Sequence, residues 1–166
     1  MLIKFTLAVP PFTFYCYPIS LSNSDGGRIM ACNISRVEYF RTTIENRPGE
    51  AYKFLSQLAL LKINLLAFSA TPVTKTDTQL TFFPENPKIM KNEASRAGMY
   101  MEGPNPALLI QCDDRLGALA DIHLRIFEAG VNVKSAGGVT DGRGAFGYVI
   151  HVEPEDFDKA AAALGI

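Results

Sequence analysis

The chain has no tryptophan, and it has only three cysteines and two histidines in 166 residues. Cys16, Cys32 and Cys112 are an odd set without C-x-x-C spacing, so no disulfide framework is expected and a reducing, cytoplasmic location is. His123 and His151 stand far apart, without the spacing of metal ligands. Neither sign of charge dominates. Sixteen Lys and Arg against seventeen Asp and Glu give a net charge of −1. That excludes the broad basic footprint of a general nucleic-acid binder, although Tyr39 and Phe40 could offer stacking surfaces. An unbroken apolar run of membrane-spanning length is also missing, because residues 1–21 are interrupted by Pro10, Pro11 and Pro18. Lys4 before that run faintly suggests a signal peptide, but Asp25, Gly26, Gly27 and Arg28 separate it from the small-residue box at Cys32. The expectation is a leader over residues 1–35, disordered or a non-native extension, with the ordered protein starting near Met30.

What the chain does have is repetition. Glu45-Asn46-Arg47-Pro48-Gly49 lies over Asp113-Asp114-Arg115-Leu116-Gly117, and Ile63-Asn64-Leu65 lies over Val131-Asn132-Val133. Both landmarks share one offset without a gap, 117 − 49 = 68 and 132 − 64 = 68. A duplicated supersecondary unit explains this. A unit of about 68 residues is near the lower limit for a self-sufficient core, so the copies are expected to support each other.

Periodicity assigns similar elements to each copy. Residues 37–45 form a strand. Ala51, Phe54, Leu55 and Leu58 mark the inward stripe of a helix, with Pro48 in its first turn. Residues 65–73 and 78–83 are strands, 88–97 a helix and 99–102 a short fourth strand. Gly103-Pro104-Asn105-Pro106 reads as the linker. In the second copy, residues 107–112 are a strand and 116–129 a helix, with Leu119, Ile122, Ile126 and Ala129 inward and Gly130 at its left-handed end. Strands follow at 131–139 and 145–152, and a last helix starts at Pro154-Glu155-Asp156. The fold class is therefore α+β: two ferredoxin-like β-α-β-β-α-β modules, each an antiparallel sheet with helices on one face. The second lacks its last strand, because Ile166 falls where that strand would begin. The domains expected are the leader, 36–103 and 104–166.

The functional signal sits where the copies agree. The strand-to-helix turn delivers the chain into a helix N-terminus, whose free N–H groups and dipole suit a carboxylate. Gly49 and Gly117 let a backbone or ligand come close. Asn46 and Asp114 either cap the helix or meet a ligand amine. Asn64 and Asn132 open the next strand; each amide can both donate and accept, though a turn residue is the plainer reading. Taken together, these two motifs in this order, twice, resemble the ACT domain over residues 36–166. The resemblance implies regulatory modules of amino-acid metabolism that pair side by side and bind an amino acid at their interface. Carried over, it points to Asn46, Pro48, Gly49 and Asn64 in the first copy and to Asp114, Gly117 and Asn132 in the second. Leu116 in place of Pro48 makes the first loop the better candidate. It implies no catalysis and no cofactor, a homo-oligomer, and a metabolic enzyme as the regulated partner, with neither nucleic acid nor membrane.

Two other classes compete. One is an assembly module without ligand, working through open sheet edges. The other is a small ferredoxin-like enzyme using Cys112 or His151. Cys112, at a buried strand end, suits an inert thiol, and His123 suits a helix boundary. Ala136-Gly137-Gly138 and Gly142-Arg143-Gly144 flank a hairpin rather than a phosphate-binding loop, and suit the close approach of another backbone.

Overall fold

A computed structural model describes residues 32–166; the signal-peptide expectation and most of the leader expected over 1–35 lie outside them, but residues 32–35 are not leader, since they open the first strand. The elements in chain order are β1 (Cys32–Glu45), α1 (Glu50–Leu60), β2 (Leu65–Pro72), β3 (Asp77–Pro84), α2 (Pro87–Arg96), β4 (Glu102–Asp113), α3 (Ala118–Glu128), β5 (Val133–Thr140) and β6 (Ala145–Val152). A single 3-10 turn (Pro154–Asp156) leads into α4 (Phe157–Leu164). The six strands form one sheet in the order β2-β3-β1-β4-β6-β5, antiparallel throughout.

The centre of this sheet explains the strand that the second copy lacks. β1 pairs with β4, so β4 stands beside the first copy's strands and β1 beside the second's. Each copy is β-α-β-β-α in sequence and borrows the other's first strand as its fourth. Glu38 is the register partner of Pro106, and 106 − 38 = 68, the repeat offset. The local twofold relating the copies therefore passes between these two residues.

Three sequence expectations change here. The strand expected to open at Val37 opens at Cys32, because β4 offers the earlier residues a partner. The separate strand at 99–102 and the linker at Gly103–Pro106 are replaced by the front of β4. Prolines are tolerated there because pairing with β6 begins only at Leu108, so this half of β4 borders β1 alone. Gly103 is needed at the irregularity where the register shifts: its φ is 127°, and a Cβ would lie 2.8 Å from the Tyr39 carbonyl. Third, Cys112 is not a lone thiol. Cys32 and Cys112 are register partners with Cα atoms 4.1 Å apart and their sulfurs in disulfide contact. Their separation of 80 residues hid a pairing that only the β1–β4 register creates.

Strand alternation places one row of side chains under the helices. The first core gathers Phe40, Phe54, Leu58, Leu80 and Phe82. The second gathers Leu108, Ile122, Ile126, Tyr148 and Ile150. Each of these matches its counterpart at the repeat offset, so the duplication extends to the packing. Leu55 and Leu119, expected inward, are about two-fifths exposed; α1 and α3 bury a narrower stripe than the sequence suggested. Gly130 takes the left-handed position after α3 as expected, with φ 64°.

Because β1 and β4 join the two copies in one sheet, the cores should unfold together. Leu80→Ala and Ile150→Ala each truncate a fully buried side chain in a different copy. Each should cost about 2–5 kcal/mol within a single two-state transition, seen alike by near- and far-ultraviolet circular dichroism. Two separated transitions would show that the copies are independent.

Candidate functional site

Each β1–α1-type loop ends in a glycine that holds a helix N-cap position in a left-handed conformation, Gly49 at φ 95° and Gly117 at φ 86°. A Cβ at either would meet nothing within 4 Å, so the backbone angle, and not crowding, calls for glycine. Neither helix has a side-chain cap. The first-turn N–H groups of α1 and α3 are left without the side-chain acceptor usual at such ends.

Asn46 and Asp114, expected as caps or ligand contacts, brace the neighbouring hairpin turn. The Asn46 N–H donates to the Thr76 carbonyl at 2.7 Å, and the Asp114 N–H to the Gly144 carbonyl at 2.8 Å, again equivalent positions. Asn46 Nδ2 donates to the Lys75 carbonyl at 3.3 Å, while the Asp114 carboxylate accepts from Thr140 Oγ1 at 3.2 Å. Pro48 precedes the N-cap residue and so lies outside the first helical turn where it was expected.

The electrostatics of the two loops differ. Arg47 reaches Glu45 at 2.9 Å and Glu50 at 2.8 Å, and Lys53 reaches Glu50 at 2.9 Å. The Lys53 hydrogen bond first, then that of Arg47, holds the Glu50 carboxyl below the usual range. A carboxylate thus already occupies the first turn of α1, where the dipole favours one. The equivalent of Glu50 in α3 is Ala118; the carboxylate in the first turn of α3 is that of Asp121, further along the helix, and it engages Arg115. Beside this second loop is a cavity of about 570 Å³, lined by Asp114, Gly117 and Leu119 on one side and by Val139, Thr140 and Tyr148 on the other. The β5 residues were missed in the sequence; the crossover of a β-α-β unit, which returns β5 beside the loop, was the available signal.

Asn64 and Asn132 are not beside the glycine of their own copy. Asn64 Nδ2 donates to Glu85 at 3.2 Å, at the end of the β2–β3 pair where Leu65 meets Pro84. Asn46 sits at the other end, near Thr76. The eleven residues of α1 separate them, about 16 Å of helix. Asn132 precedes β5 in the same way.

The histidines divide. His123 is hydrogen-bonded to Tyr148 Oη at 2.7 Å. His151 faces the side of the sheet away from the helices, edge-on to Tyr39 at 4.8 Å. Among the described residues no group of three or more His, Cys, Asp or Glu could hold a metal ion, and no helix there is long and apolar enough to cross a membrane.

No family profile matches the chain, and no curated protein matches its sequence. Solved structures match in shape. A protein from Bacteroides thetaiotaomicron superposes with a TM-score of 0.67 at 18% identity, covering 79% of this chain and 88% of that one. The ligand-free regulatory subunit of aspartate kinase from Thermus thermophilus matches with a TM-score of 0.53 at 14% identity, over 81% of this chain and 93% of its own. Its counterpart from Thermus flavus gives 0.52 at 15%, over 81% and 94%. The chain has a tandem ACT-like fold. That agrees with the α+β, ferredoxin-like class read from the sequence.

Burial first, then Arg41 and Lys134, pushes the His151 imidazole below its ordinary value. The unfolded chain then takes up this proton before the folded one as pH falls through about 6.5. His151 therefore contributes stability above that pH and loses it below. Urea unfolding at about pH 7.5 and 5.5 should show a smaller drop in His151→Gln than in the parent; equal drops would refute the assignment.

Proposed function

We propose that this chain is a non-catalytic regulatory module that binds an amino acid at a seam between two copies, with the second-copy loop as the principal site. The observation that carries this is the contrast at the helix starts. Around α3 the helix start adjoins a cavity and its first residue is the small Ala118, whereas at α1 the same position holds the bulkier Glu50, tied down by Arg47 and Lys53. The ligand carboxylate would sit over Gly117 at the start of α3, with Asp114 toward the ammonium.

A second copy supports the rest of the site. β2 and β5 are the sheet edges, and nearly all of β5 is exposed. An antiparallel edge-to-edge meeting would bring the Asn132 or Asn64 end of one chain beside the glycine loop of another. Fully exposed Leu116 and 75%-exposed Val139 give that edge an apolar rim. Ligand binding would favour the paired arrangement, and a partner, a metabolic enzyme in our reading, would respond to it. The solved aspartate kinase regulatory subunits share this fold, which supports a regulatory role. The cysteine count alone suggests a cytoplasmic place, but the Cys32–Cys112 contact removes that argument, since disulfides persist in oxidising compartments.

Calorimetry against the twenty amino acids tests the reading. One or a few should bind, and Asp114→Ala and Asn132→Ala should each weaken binding roughly tenfold or more with the fold intact. The ligand should also raise the sedimenting mass. No heat and no thermal shift with any of them would sink it. Ligand-indifferent association through β2 and β5 would favour the assembly module instead.

A further inference from the structure

The sheet face opposite the helices carries a groove of about 680 Å³ that runs from β2 and β3 to β5 and β6. Its size suits a small organic molecule, for which pockets run about 300–1,000 Å³. Its polar side chains include those of Arg41, Gln79, Thr81, Gln111, Ser135 and His151, and its lining includes no Asp or Glu. Buried Tyr39 organises Arg41 and His151. Arg41 Nη2 donates to Tyr39 Oη at 3.0 Å, and its guanidinium lies 5.0 Å from the ring centre. His151 meets the same ring edge-on. Ala107, the β4 member of this cluster, is small enough to let the Tyr39 ring span toward β6.

Two features of the groove have no explanation in the fold itself. Arg41 Nε and His151 Nδ1 are shut from solvent without a hydrogen-bond partner. Among the described residues no carboxylate pairs with Arg41, including its register partner Glu102. Such unmet groups carry a desolvation penalty that a ligand can relieve. The second feature is glycine without structural need. A Cβ on Gly137 or Gly147 would meet nothing within 4 Å, and neither has a positive φ. Gly138 differs, since its Cβ would lie 2.6 Å from the Tyr148 ring. Interior strand glycines weaken a sheet, and ones the packing does not require mark the close approach of something else.

We propose that this groove is a small-molecule site for a flat organic carboxylate, with the acid group on Arg41 and the apolar body over Gly137, Gly147 and Val149. The planar guanidinium fork matches a carboxylate. The absence of acidic lining leaves an ammonium group unpaired, so simple carboxylates are preferred to amino acids. This separates the groove from the loop site, which offers Asp114. A second copy stacked face to face would bring Arg41 against its own kind with no acid between them, so the charge pattern favours an anion over a self-contact.

Phenylacetate is the probe, with benzyl alcohol and phenylalanine as controls. With two histidines in the chain, proton NMR separates His151 from His123 once His151→Gln assigns them. Phenylacetate should move the His151 resonance and leave that of His123, with a Kd of about 1 mM or tighter, and both controls should bind roughly tenfold more weakly. Arg41→Gln should weaken the probe by a similar factor. Gly147→Val, whose side chain points into open space, should block it while leaving circular dichroism and Tm unchanged. No shift of His151 at about 20 mM probe, equal binding of benzyl alcohol, or binding indifferent to Gly147→Val overturns the proposal. So does a dimer that Gly147→Val dissociates in sedimentation, which would make the face a contact between copies.

Discussion

The antiparallel pairing of β1 with β4 is the constraint on which the rest of the molecule depends. Neither copy carries a fourth strand in the usual place, and a three-stranded sheet with two helices would leave β1 or β4 as an open central edge. Placing the two first strands side by side closes both edges at once. The register Glu38 opposite Pro106 makes the closure symmetrical, because those residues are equivalent under the repeat. From that register follow the common face for all the helices, the outward position of β2 and β5, and the meeting of Cys32 with Cys112.

The arrangement also answers a size problem. A module this small buries too little apolar surface to be comfortable alone. Here Ile34 of β1 packs on the second core, although β1 also supplies Phe40 to the first. One strand therefore serves two cores. The closure entropy of joining residues far apart in the chain rises only slowly with their separation, so a long-range pairing of this kind is inexpensive relative to the burial it allows.

Much of this was legible in the sequence, for a definite reason. The matched burial of Phe54 with Ile122 and of Phe82 with Ile150 follows from periodicities that repeat at one offset, and such patterns survive in a single sequence. β6 was read with its observed limits because Phe146, Tyr148 and Ile150 alternate cleanly. The losses occurred where context overrides local signals. Gly103-Pro104-Asn105-Pro106 has the composition of a linker, and only the absence of β6 beside it lets it be a strand. Leu119 has the right spacing for the core and yet lines the loop cavity. Asn64 and Gly49 seemed neighbours because their spacing recurs, but recurrence shows equivalence between copies and says nothing of distance within one.

That last distinction reshapes how the candidate site is understood. Two residues that recur together at opposite ends of a helix are most simply explained if they meet across a symmetry operation, when one chain's end lies beside another's start. Inside this chain the local twofold joins β1 to β4 and keeps the outer edges apart, so it cannot bring them together. The proposed operation is one between chains, through β2 or β5. The two loops need not then be equal. Arg47 is engaged by both Glu45 and Glu50 at α1, while α3 begins with Ala118 beside an open cavity. Duplication supplies two loops, and the cavity beside the small Ala118 is what makes the second the proposed seat of an external carboxylate.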